Sequence, residues 1–103
     1  MNNDFNTTYR KKENIVTRHI AGETLLVPIY GELANMERIF TLDPVAAFIW
    51  EQLDGEKSLK EIRDGVLNAF DVKKEQAETD IFEFVDELMK ADLVETPIES
   101  KLD

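Results

Sequence analysis

The chain has no cysteine among its 103 residues. Disulfides, thiolate nucleophiles and thiolate-held metals are therefore all excluded. Basic residues are scarce: 12 Lys and Arg stand against 22 Asp and Glu, a formal net charge of -10. Nucleic-acid binding depends on cations that displace counterions from phosphates, so this balance disfavours it. An anionic membrane surface is disfavoured on the same grounds. No apolar run approaches the length that spans a bilayer. The opening Met-Asn-Asn-Asp-Phe-Asn has no basic region followed by an apolar stretch, so a secretory signal is not expected and the cytoplasm is the expected location. The single histidine, His19, has no partner at ligand or general-base spacing. Glycine-rich phosphate loops and nucleophile elbows are missing. The expectation is a protein that is not an enzyme, with no catalytic residues, no metal and no cofactor.

What is present is an ordinary core. Apolar residues make up 43% of the chain, enough for one small domain and hardly for two. Residues 1–12 are polar and mixed in charge and read as a loose tail; 13–96 read as the domain, and 97–103 as a second tail. Ile15, Val16 and Ile20, then Ala21-Gly22, then Leu25-Leu26-Val27-Pro28-Ile29-Tyr30 read as a β-hairpin. Pro28 cannot donate a ladder hydrogen bond and should sit at a strand end or face an unpaired side. A third strand is expected over residues 36–42.

After Leu42 the apolar period changes from two to nearly four. Asp43-Pro44 starts a helix, with Asp as N-cap and Pro in the first turn, and Gly55 supplies its stop. Trp50 reads as an edge of the core rather than a ligand-stacking ring. Ser58-Leu59-Lys60-Glu61 is a capping box opening a second helix, in which Gly65 marks a close packing contact or fraying. A third helix is expected from Lys74 to Lys90, with Ala77, Ile81, Val85 and Leu88 as its core stripe. Its carboxylates, Glu75, Glu78, Asp80, Glu83, Asp86 and Glu87, read as a solvated face rather than acid–base machinery. Leu93-Val94 can return to the sheet. The order β-β-β-α-α-α predicts an α+β fold: a three-stranded antiparallel sheet followed by three helices, of winged helix-turn-helix type.

Three stretches carry a resemblance. They are Ile20-x-Gly22-Glu23-x-Leu25-Leu26-Val27-Pro28, then Phe40-x-Leu42-Asp43-x-x-Ala46-x-x-Ile49-Trp50-x-x-Leu53-Asp54-Gly55, and then Asp80-Ile81-x-x-Phe84-Val85-x-x-Leu88 with Leu93-Val94. The chain resembles the coenzyme PQQ synthesis protein D (PqqD) family over about residues 14–95. Many members have Asn where this chain has Asp43; both are good N-caps. The resemblance implies a monomeric, non-catalytic recognition element for ribosomally made, modified peptides. The leader of a precursor peptide would add as a strand to the third strand's edge, against the third helix. It would then be presented to a modifying enzyme, commonly a radical SAM protein, in PQQ-type or related biosynthesis.

The peptide-binding candidates are Arg38, Ile39, Phe40 and Thr41 on that strand, and Phe82, Val85, Asp86 and Met89 on that helix. Phe82 and Met89 lie seven residues apart and off the centre of the core stripe, so they form a short ridge suited to a groove. Two other readings stand beside this one: a winged-helix DNA-binding regulator, which the acidic third helix opposes, and a scaffold for a partner enzyme.

Overall fold

The first two helices begin where the local chemistry says they should. Asp43 accepts the amide of Ala46 at 2.8 Å, and Pro44 opens α1 (Pro44–Gln52). Ser58 and Glu61 close the expected capping box at the head of α2 (Leu59–Ala69), with bonds of 2.9 and 3.2 Å. The long α3 runs over Lys74–Lys90, the bounds the periodicity predicts. A Cβ on Gly65 would stand 3.1 Å from the Phe48 ring, so its absence admits the close contact expected there. The structure, a computed structural model, describes residues 5–13, 15–28 and 40–96.

The strands β2 (Ile15–Ile20), β3 (Glu23–Pro28) and β4 (Phe40–Leu42) form a three-stranded antiparallel sheet in the order β2-β3-β4. Pro28 ends its strand, as its missing N–H requires. The expected third strand is seen over its last three residues; 36–39 lie outside the described residues.

Residues 5–12 are not a loose tail. β1 (Thr8–Lys11) lies between β5 (Asp54–Ser58) and β6 (Val94–Glu95) in a second antiparallel sheet, of order β5-β1-β6. The reason is at the head of α2. A helix start leaves amides without partners, and here Leu59 N donates to the carbonyl of Thr7 and Lys60 N to that of Phe5. Gly55 also departs from its expected role, since α1 has already ended at Gln52. At φ 84° Gly55 lies where the β1–β5 register shifts between Thr8↔Ser58 and Arg10↔Asp54. The Asp54 carboxylate takes the amides of Glu56 and Lys57 there, and those bonds hold its pKa far below the usual carboxylate range.

The core joins the first sheet to all three helices. Leu26, Ile49, Trp50, Leu53, Leu59, Ile62, Val66, Ile81, Leu88 and Leu93 are essentially without solvent contact. Trp50 is deeper than an edge position: it is 1% exposed, and its Nε1 donates to Thr17 Oγ1 at 2.9 Å. Lys11 Nζ stands 5.3 Å from the same ring and bonds the Leu53 carbonyl; burial lowers its pKa. The helices and β2-β3-β4 are thus locked by one apolar interior, which fixes the position of β4 relative to α3.

Candidate functional site

The site begins with the turn between β2 and β3. Ala21 and Gly22 have φ of 52° and 83°, the pair of positive values a two-residue type I′ hairpin needs. Such a turn closes on a bond between its flanking residues, so Ile20 and Glu23 form a hydrogen-bonded pair. Antiparallel pairs alternate between bonded and non-bonded. Counting along the register, Arg18–Leu25 and Val16–Val27 are bonded pairs, and Thr24 and Leu26 turn their backbone groups the other way, toward β4. Phe40 and Leu42 therefore face β3, opposite Leu26 and Thr24. Thr41, between them, directs its N–H and C=O to the outer edge of the sheet. Among the described residues β4 has no strand partner besides β3.

Beyond that edge lies a cleft of about 310 Å³. Its floor is apolar: Phe40 and Leu42 from β4, Val45, Ala46 and Ile49 from α1, and Phe84 from α3. Its rim is acidic, with Asp43 at the start of α1 and Asp80, Glu83 and Glu87 along α3. A second hollow adjoins it at Thr41, Leu42 and Asp43 and reaches the hairpin tip at Gly22, Glu23 and Thr24. The arrangement can accept an extended backbone at Thr41 and take that segment's side chains into the cleft.

The structure brings Phe40 and Thr41 together at this edge; Arg38 and Ile39 lie outside the described residues. The helix candidates are placed elsewhere. Val85 is 4% exposed, in the core. Asp86 is exposed and pairs with Lys90 at 3.1 Å. Phe82 and Met89 are not among the residues lining the cleft; helical geometry puts them about 140° around α3 from its acidic rim. Phe82 is half-buried, its ring 4.6 Å from that of Phe5, and the Arg63 guanidinium lies 5.2 Å from the other ring of that pair. Arg63 is held in turn by Glu78 and Asp64. The N-terminal segment thus covers the Phe82 end of the expected groove, while Met89 stays exposed at 39%. Sequence reasoning missed the cleft-lining Asp80, Glu83, Phe84 and Glu87 because it treated the acids as a solvated face and Phe84 as core. The signal was in the same wheel, one quarter-turn from the core stripe on the other side.

His19 is exposed, with the Thr24 hydroxyl 3.3 Å from its Nδ1. Among the described residues no group of three His, Cys, Asp or Glu side chains could hold a metal ion, and no helix is long and apolar enough to cross a membrane.

An α+β framework of this kind, with a sheet edge bordered by its longest helix, has counterparts among solved structures. The structure of TbiB1 in complex with the TbiA(beta) leader peptide is similar at a TM-score of 0.67 and 27% identity, covering 84% of this chain and 94% of that one. A lasso peptide synthetase B1 complexed with its leader peptide matches in fold, at a TM-score of 0.69 and 18% identity over 84% of this chain and 96% of that one. The family model for coenzyme PQQ synthesis protein D (PqqD) matches residues 32–94. The chain belongs to the PqqD family. A search of curated proteins finds no match.

Proposed function

We propose that this protein binds the leader segment of a ribosomally made precursor peptide and presents it to a modifying enzyme, taking no part in the chemistry itself. The observation that carries this reading is the outward-facing backbone of Thr41 beside the apolar cleft. An edge strand is a template for another strand, and the backbone bonds give affinity while the cleft selects side chains. Membership of the PqqD family and the likeness to a protein seen with a leader peptide support it. The enzyme partner would be a radical SAM protein or another peptide-modifying enzyme, and the complex would work in the cytoplasm. Specific duplex DNA binding is disfavoured by the net charge of -10.

The test is titration of isotope-labelled protein with candidate leader peptides. Amides of Thr41 and of Asp80, Glu83 and Glu87 should shift, while those of Phe5 and Thr7, on the opposite flank, stay in place. The substitution Thr41→Pro removes the outward N–H without touching a bond to β3. It should lower leader affinity at least about tenfold, the loss of one well-placed backbone bond plus misaligned neighbours, with the sheet intact. Unchanged affinity in folded Thr41→Pro would remove this edge as the binding site.

A further inference from the structure

We infer that the occupant of the cleft is a cationic peptide strand, one whose cleft-facing positions carry Lys or Arg among apolar residues. The inference rests on the reading that β4 receives a peptide, and it adds the chemistry of that peptide.

Among the described residues, the cleft and the hollow joined to it expose five carboxylates, Glu23, Asp43, Asp80, Glu83 and Glu87, and no lysine, arginine or histidine. Elsewhere on the described surface some acids are matched by nearby cations, as Glu95 is by Arg10, Asp92 by Lys12 and Glu78 by Arg63, while others such as Glu51, Asp71 and Glu75 are single and scattered. At the cleft unmatched acids converge on one apolar hollow. Asp43 is engaged with the Ala46 amide and Asp80 with the Gln76 side chain, both neutral donors. Glu83 and Glu87 have no side-chain partner among the described residues. They are one turn apart on α3, on the side that lines the cleft.

A strand added beside Thr41 would turn every second side chain toward α3. Each of these would cross the apolar floor before reaching the rim. Lys and Arg suit both zones, because their methylene stems cover apolar surface while the charged head stays near water and carboxylates. An acidic strand would bring like charges together in a partly desolvated space, which penalises the wrong partner strongly. The carboxylates therefore act as a filter on sequence, and they raise the encounter rate of a cationic peptide.

The experiment uses a random twelve-residue display library selected on the full chain at about 0.15 M salt, where the screening length is about 8 Å. Counter-selection on Thr41→Pro keeps only binders of this edge. Expected are sequences with Lys or Arg at alternate positions between apolar residues. Their synthetic versions should bind Glu83→Gln/Glu87→Gln roughly 5–20-fold more weakly, as for two exposed charge pairs, and this difference should shrink at high salt. The charge-reversed Glu83→Lys/Glu87→Lys should select acidic peptides instead. Should either double variant lose its fold, the single Glu83→Gln and Glu87→Gln proteins serve. Neutral or acidic binders that depend on Thr41, or equal affinity for the Gln variants, would overturn the cationic assignment and leave peptide binding standing. Recovery of no Thr41-dependent peptide would overturn both.

Discussion

The two flanks of α3 are built from the same helix and have opposite fates. On one, Phe82 meets Phe5, Arg63 crosses the Phe5 ring, and the N-terminal segment that carries Phe5 is tied by backbone bonds to the head of α2. On the other, Phe84 is 8% exposed at the back of a cleft, and Glu83 and Glu87 reach past it into solvent. Hydrophobicity does not separate them, since each has one phenylalanine at its border. What separates them is whether the chain supplies its own covering segment. An aromatic ring beside a helix is a binding surface only where nothing intramolecular reaches it first. In the proposed reading, the first flank bears on stability and the second on recognition.

The largest expected effect lies beneath both flanks. Ile81 is fully buried on the central stripe, and Ile81→Ala should cost about 2–5 kcal/mol of folding stability, measured by denaturant unfolding. If the loss is much smaller, the two flanks do not share one rigid spine. Phe82→Ala comes next. It removes a half-buried ring and its partner at 4.6 Å, and should cost about 1–2 kcal/mol while peptide affinity is unchanged. A variant with near-native stability and lost affinity would reverse the assignment of the flanks. Met89 gives the smallest effect: at 39% exposed, its change to Ala should alter stability by less than about 0.5 kcal/mol and leave binding untouched. A larger change in either quantity would mean that Met89 meets something this chain alone does not show.

The separation of local from distant causes explains which of these features could be read in advance. Helix starts depend on neighbours three residues apart, so Asp43-Pro44 and the Ser58–Glu61 box were legible. The stripe Ala77, Ile81, Val85, Leu88 is likewise a property of one segment, and all four residues are buried. β1 was not legible. Thr-Tyr-Arg-Lys has no clear alternation, and Asp-Gly-Glu-Lys-Ser, its partner in β5, has almost no apolar content. Such strands exist because tertiary contacts bring them together and because α2 needs acceptors for its first amides.

Sequence by itself determined the α+β class, the three helices, the hairpin turn at Ala21-Gly22 and the acidity of α3, because each follows from residues a few positions apart. Tertiary structure alone decided which face of α3 is open. Phe5 and Phe82 are 77 residues apart in the chain, and no periodicity within either segment specifies that they meet. It also decided that Thr41, rather than Phe40, presents its backbone outward, since that depends on a register counted from the hairpin through two strand pairings. A helix wheel defines directions relative to the helix axis. Only packing against the rest of the chain says what lies in each direction.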